Sequence, residues 1–318
     1  MKIGIASAET RGWPKMDWVG KAAENLGHEV VRARTAKELP ELLSYCDLAI
    51  FGHKSLAGRW PNVKKAIENR TCPIAYWWFD LISLRPGVPI VEQAYFKQWE
   101  TQLKACDLVL VKERGMIDEY REVGVNAYYM DQGCPSDMPE IGDKPKFWDM
   151  LVWGQSGKDY RHRTDDVGTV IKEDYGIAWV GDTFSGAEGF PKMMPHQLYE
   201  KAERANCVLS CGRRNDVEGY WSDQFWMALG MGCCVARRSV PGLPDGPFLK
   251  YHNGHELRDV LSFVRNNTDQ AIQLGKNARQ WVMENHTIEH RIEELLRLVP
   301  IATGRDFSVS RSPASSFA

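Results

Sequence analysis

Three stretches of this 318-residue chain offer glycine turns, basic side chains or a helix start that suit an anion. Gly154-Gln155-Ser156-Gly157-Lys158 runs on to Arg161 and Arg163. Arg213-Arg214-Asn215 follows the apolar run 207–210. Glu218-Gly219-Tyr220-Trp221-Ser222-Asp223 leads into Phe225, Trp226 and Leu229, which recur at helical spacing. Glycine lets main chain approach a ligand closely, and a guanidinium fork grips two phosphate oxygens at once. A helix start adds unpaired N–H groups and the positive end of a dipole. The candidate diphosphate contacts are therefore Gly154, Lys158, Arg161, Arg163, Arg213 and Arg214, with the main chain at Gly219, Tyr220, Trp221, Ser222 and Asp223. Plainer readings stand beside these. The cations can be solvated surface charge, Arg213 or Arg214 can pair with Asp216 or Glu218, and the helix can be an ordinary one capped by Ser222 or Asp223.

A second set lies in the first half. Asp80 follows Tyr76-Trp77-Trp78-Phe79, His53 follows an apolar run ending at Gly52, and Glu9 and Arg11 follow the first apolar run. A carboxylate or histidine at such a position suits general-base work on a hydroxyl. The plainer alternatives are a turn aspartate and a loop histidine. Lys54, Arg59, Lys64, Lys65 and Arg70 crowd one segment with Trp60 against Glu68 alone, which reads either as a strip for a phosphate backbone or as a solvated helix face. No histidine or carboxylate spacing indicates a metal site, and no Asp-x-Asp suggests a metal-held diphosphate.

The positioning elements come from apolar periodicity. Strands are expected over 2–7, 28–33, 47–52, 73–79, 107–111 and 126–130, alternating with helices, which argues a parallel sheet covered on both faces. A Pro-, Gly- and charge-rich linker follows at 131–146. The pattern then repeats, with strands at 149–154, 177–181, 207–210 and 233–236 and helices near 164–172, 195–205, 223–229, 257–266, 270–284 and 288–298. The fold class is α/β with two Rossmann-like domains, 1–135 and 147–300, and a disordered tail at 303–318. With 43% hydrophobic and 26% charged residues and a net charge of −2, nothing global points to nucleic acid or to an anionic membrane. No run is long enough for a membrane span or a signal peptide. The eight cysteines lack a Cys-x-x-Cys pair and read as reduced thiols of a cytoplasmic protein.

The block from Tyr220 to Gly232, then Val240-Pro241-Gly242-Leu243, resembles the donor-site segment of the spore-maturation-type (CgeB-like) glycosyltransferases. Further blocks follow in order: Phe248, Tyr251-His252-Asn253, Leu274-Gly275-x-Asn277-Ala278-Arg279, and Glu284-Asn285-His286-Thr287. The resemblance covers roughly 148–297 well and the first half by pattern only. It implies the GT-B fold, two Rossmann-like domains facing a cleft, with a nucleotide sugar held by the second domain. A UDP-sugar is the expected donor, and no cofactor or metal is required. Glu218 would contact the donor sugar, Asp182 the nucleotide base, and Asp80, Glu9, Arg11 and His53 would face the acceptor. The position of the family's second glutamate, which holds the ribose, is Met227 here. Methionine cannot accept hydrogen bonds from two hydroxyls. The expected activity is transfer of a sugar to an acceptor hydroxyl, with retention of configuration. One alternative is a phage-type enzyme acting on hydroxymethylated pyrimidine in DNA. Another is a degenerate module that binds a sugar or a partner without catalysis.

Overall fold

Apolar runs bounded by turns and charged helices fold here into two parallel sheets. The computed structural model describes residues 1–7, 15–52, 60–78, 100–157, 160–182, 184–191, 193 and 195–305. Each sheet is the centre of its own compact unit. Unit 1 comprises Met1–Val111, Met116–Met130 and Ile292–Ala318; unit 2 comprises Lys112–Gly115 and Asp131–Arg291.

Unit 1 holds β1 (Lys2–Ala6), β2 (Glu29–Ala33), β3 (Leu48–Gly52), β4 (Ile74–Trp78), β5 (Leu108–Val111) and β6 (Ala127–Tyr129). They pair in parallel in the order β2-β1-β3-β4-β5-β6. Strands β3 and β5 are buried along their whole length, as parallel strands covered on both faces must be. Helices α1 (Lys15–Asn25), α2 (Leu39–Tyr45), α3 (Trp60–Glu68) and α4 (Ile117–Glu122) are among the described connections. Strand order turns between β1 and β3, and most of the loops leaving those two strands lie outside the described residues.

Unit 2 holds β7 (Trp148–Trp153), β8 (Ile177–Val180), β9 (Glu188–Phe190), β10 (Ala205–Ser210), β11 (Val235–Arg238) and β12 (Leu249–Tyr251). Their order is β12-β11-β10-β7-β8-β9, again all parallel. The chain steps outward from β7 to β9, returns to lay β10 beside β7, and steps out the other way. This puts a topological switch between β7 and β10, where Cys207 pairs with Met150 and Leu209 with Val152. Helices α5 (Arg161–Ile171) and α8 (Gly254–Asn266) pack Val167, Val170, Leu257, Leu261 and Val264 on Met150, Val152, Trp179 and Leu209. Helix α6 is Pro195–Ala202. Helix α7 (Asp223–Gly230) is buried from Phe225 to Gly230 without a polar face, and α9 (Thr268–Asn285) packs against it. Helix α10 (Ile288–Thr303) closes the described chain near residue 305; the tail predicted beyond it lies mostly outside the described residues.

Two strands escaped the sequence reading. Both β9 and β12 have three residues, too few to show a period. The strand expected at 233–236 lies at Val235–Arg238, because its two arginines belong to the sheet rather than to the following loop.

Candidate functional site

In open parallel sheets the crevice beyond the carboxyl ends of the strands, at a switch in strand order, is where ligands bind. In unit 2 that point is flanked by the loops after β7 and β10. Gly154 ends β7 with φ +123°, and a Cβ there would lie 2.5 Å from Arg163 Nη1. The missing side chain lets Arg163, only 4% exposed, fold back beneath the loops. Its Nε and Nη2 donate to Cys211 O at 3.1 and 2.5 Å, and its Nη1 donates to Gln155 O at 2.7 Å. One guanidinium thus ties both loops together. The Tyr160 ring carries Arg163 Cζ at 4.8 Å and Arg213 Cζ at 5.5 Å, so two cations share one aromatic ring.

A second guanidinium comes up from β11. Arg237 is fully buried; Nη1 donates to Ser210 O at 3.1 Å and to Ser210 Oγ at 3.3 Å, and Nη2 to Tyr220 O at 2.8 Å. Its Nε has no partner. Desolvation pulls its pKa down. Among the described residues, neither Arg163 nor Arg237 has a carboxylate at ion-pair distance, whereas the neighbouring Arg238 pairs with Asp166. Burying a cation without a counter-charge costs several kcal/mol. Two such groups under one pair of loops make a site that an anion would complete.

The loop into α7 is held from below. Gly219 takes φ +76°, and a Cβ there would sit 2.9 Å from Arg114 N; its own N–H donates to Pro241 O at 3.0 Å. Gly115 N donates to Glu218 O at 3.2 Å. Lys112, 5% exposed, sets Nζ 3.5 Å from Trp221 O, 4.9 Å over the Tyr220 ring and 3.3 Å from Glu113 Oε1. Asp131 Oδ1 accepts from Trp221 Nε1 at 2.8 Å and from Trp226 Nε1 at 3.1 Å. Burial drives the Asp131 pKa up to about 6, against the pull of the Arg291 charge. Ser222 has the extended backbone of an N-cap, but its side chain makes no capping bond; its carbonyl closes the turn by accepting from Phe225 N at 3.0 Å. Glu218 is exposed and leans over Gly242, where a Cβ would meet its Cγ at 2.9 Å.

Residues 145–297 match the family model described as "Glycosyl transferase-like". No curated protein matches the chain at the sequence level. Among solved structures, Alr3699/HepE of Anabaena, in complex with UDP and glucose, superposes with a TM-score of 0.64 at 9% identity, covering 93% of this chain and 98% of that one. TarM of S. aureus gives 0.58 at 12%, covering 83% and 57%. The trehalose-phosphate synthase (UDP-forming) of Burkholderia vietnamiensis gives 0.58 at 11%, covering 85% and 74%. The fold is that of the GT-B glycosyltransferases. At 9–12% identity the neighbours show the fold, and the family match, over residues 145–297, is to a glycosyl transferase-like family.

Within this GT-B chain the predicted residues separate. Gly154, Arg213, Gly219, Tyr220, Trp221, Ser222 and Asp223 lie on the switch-point loops and the start of α7, and Arg163 reaches those loops from the first turn of α5. Asp182 sits at the end of β8, where Oδ2 accepts from Ser156 N at 2.8 Å and Ser156 Oγ at 2.7 Å and so fixes the loop after β7. Arg161 is not brought in: its side chain is 83% exposed and faces Asp165 at 3.4 Å along α5. Arg214 takes the ion-pair alternative. It forks onto Asp216, with Nε donating to Oδ1 at 2.7 Å, which lowers the Asp216 pKa and raises its own. Met227 is 1% exposed inside α7, so position 227 presents nothing to a ligand. Lys158, Asp80, Glu9, Arg11 and His53 lie outside the described residues, as do Lys54 and Arg59. Of the rest of the basic strip, Lys64 faces Glu68 at 3.7 Å and Arg70 donates to Asp107 at 3.3 and 3.0 Å.

Sequence reasoning missed Lys112, Asp131 and Arg237. Lys112 directly follows the all-apolar β5, and Arg237 interrupts an apolar strand; a charge in either place is a signal that was there to read. Asp131 heads a polar segment and carries no such mark. Among the described residues, no group of His, Cys, Asp or Glu is placed to hold a metal ion, and no helix is long and apolar enough to cross a membrane. All eight cysteines are buried and unpaired.

Proposed function

We propose that this chain transfers a sugar from a UDP-sugar to an acceptor hydroxyl, with the donor diphosphate held at the switch point of unit 2. The observation that carries this reading is the pair of buried guanidinium groups, Arg163 and Arg237, without carboxylate partners. A diphosphate supplies the charge they lack. Negative charge grows on the leaving nucleotide as the bond to the sugar breaks. Cations and main-chain N–H groups fixed beforehand stabilise that charge without reorganising. Arg213 and the start of α7 extend the same field outward. With two buried guanidinium charges beneath the loops and a helix start beside them, the reaction needs no metal ion. The neighbour in complex with UDP and glucose supports uridine as the base.

Within this reading the chain falls among the CgeB-like enzymes, Glu218 contacts the donor sugar, Asp80 acts on the acceptor side, and configuration is retained. The buried Met227 favours a second reading, a module that binds a nucleotide sugar without transferring it, because no carboxylate at that position can hold the ribose.

Thermal unfolding with UDP, GDP, CDP and ADP, each with and without EDTA, tests the donor site. UDP at 100 times its dissociation constant should stabilise by about 2.7 kcal/mol, unchanged by EDTA. Arg213→Ala should weaken UDP about tenfold, through loss of a charge-assisted contact. Arg161→Ala should stay within about twofold, because its charge is solvated. Release of free sugar from UDP-glucose separates the enzyme from the binder. A folded protein that no nucleotide stabilises would sink the donor-site reading.

A further inference from the structure

Asp131 is a buried carboxylate that the proposed reaction does not use, and its surroundings assign it a task. It belongs to a short segment fastened to the end of α9. Cys134 N donates to His286 O at 3.1 Å, Ile288 N donates back to Cys134 O at 2.9 Å, and Gly133 is so close that a Cβ would lie 2.7 Å from His286 O. Arg291 Nε donates to Gln132 O at 3.3 Å, bracing the same segment. From this fixed base a single oxygen, Oδ1, accepts three donors: Gln132 N at 2.6 Å, Trp221 Nε1 at 2.8 Å and Trp226 Nε1 at 3.1 Å. The two indoles bracket the start of α7, one just before the cap residue and one in the first turn. Trp226 is itself stacked on the His286 ring at 4.2 Å.

We infer that Asp131 is a positioning residue for the diphosphate loop: through the two indole N–H groups it sets where the main chain of residues 219–223 stands. Three restraints then act on consecutive residues. Pro241 O holds Gly219 N, Arg237 holds Tyr220 O, and Asp131 holds the Trp221 side chain. Ser222 needs them, because its own side chain makes no capping bond to stiffen the turn. The inference rests on the donor-site reading above only for the ligand; the restraint on the loop belongs to the protein alone.

The restraint depends on charge. A carboxylate accepts from indole N–H groups more strongly than a neutral carboxyl does. The titratable and charged groups around it are Arg291 from α10, His286 behind Trp226, and Lys112 beside the Trp221 carbonyl. Burial raises the Asp131 pKa to about 6, so the restraint weakens within a pH unit or so of neutrality. An amide at this position keeps an acceptor oxygen and loses the titration. Asp131→Asn therefore separates shape from charge, and Asp131→Ala removes both.

Hydrogen exchange of the loop amides and binding of UDP test the inference in the full chain. Asp131→Ala should speed exchange at 219–223 and weaken UDP by about ten- to a hundredfold, the range expected when a buried charged acceptor is lost. Asp131→Asn should stay within a few-fold of wild type at pH 7.5. Because the terminal phosphate of UDP also titrates near 6, the pH effect is read as the ratio of the two affinities. Wild type should lose its advantage over Asp131→Asn between pH 7.5 and 5.5. Trp221→Phe, which removes one donor and leaves Asp131 in place, serves if Asp131→Ala does not fold; it too should speed exchange. Unchanged loop exchange in these variants, faster exchange with unchanged UDP affinity, or a pH-independent ratio would each overturn the inference. If wild type binds no UDP, the donor-site reading falls. Exchange at 219–223 then decides alone: faster exchange confined to the loop supports the restraint, and unchanged exchange refutes it.

Discussion

Asp131 and His286 lie in one small cluster and titrate in opposite senses. Burial raises the Asp131 pKa from 3.8 to about 6, so folding takes up a proton between those values. The stability this group contributes is full below about 4 and is lost as pH rises through about 6. His286 is pushed from 6.5 down to about 4 by burial first and by Arg291 second, so folding releases a proton over nearly the same window. Its contribution is present above 6.5 and is lost as pH falls toward 4. The two offset one another in wild type. Urea midpoints at pH 7 and pH 5 should therefore show Asp131→Asn losing more stability on acidification than wild type, by roughly 1 kcal/mol. His286→Asn should lose less than wild type. Equal pH slopes in all three proteins would show that neither group titrates as its burial dictates. None of this was legible in the sequence, where Asp131 heads a polar segment and His286 belongs to a helix end. The glycines and arginines of the site were legible, because their residue types carry the chemistry. Which arginine points inward was not, because Arg161 and Arg163 differ only in the face of α5 they occupy.

At the scale of elements, α7 and α9 show what packing demands of sequence. Helix α9 crosses the turn after α7 at Gly275. A Cβ there would overlap the Gly232 carbonyl oxygen and lie 3.0 Å from both Cys233 C and Cys234 N. These are backbone atoms, fixed by the turn that carries Gly232 at φ +84°, and they cannot move aside without shifting β11. Gly275→Ala should gain slightly in helix propensity and lose far more to overlap, a net destabilisation of about 2–4 kcal/mol. Chemical denaturation measures it, and a loss under about 0.5 kcal/mol would show that α9 can back away. The order of elements in both units was readable because each long element has a clear period. Element ends were less so: β11 begins two residues later than expected and runs on to Arg238, because Arg237 is accommodated inside the sheet by donating to Ser210 and Tyr220.

The chain as a whole does not divide at one point, and this decides how it can be cut. It leaves unit 1 after Val111, returns at Met116, leaves again after Met130, and comes back at Ile292, one turn into α10. A break in the polar segment after 130, where composition invites it, strands two pieces. Residues 112–115 stay with the first fragment, taking Lys112 and the Gly115 N–H from beneath Trp221 and Glu218. All of α10 goes with the other fragment. Its Ile292, Leu295 and Val299 are fully buried, and just beyond it Arg305 Nη1 donates to Thr71 O at 2.9 Å. Exposing three such side chains forfeits about 1.5–3 kcal/mol each, which together rivals the 5–15 kcal/mol that stabilises a typical domain. A fragment of residues 1–130 should therefore be molten or aggregated by near-ultraviolet circular dichroism. Fusing residues 292–305 to its end should restore cooperative unfolding. A cooperatively folded 1–130 fragment would mean that α10 covers little of the first sheet's core. For the same reason a fragment of residues 131–291 should bind UDP more weakly than the full chain even where it folds. The loop before α7 would keep Asp131 and Arg237 and lose its supports from residues 112–115.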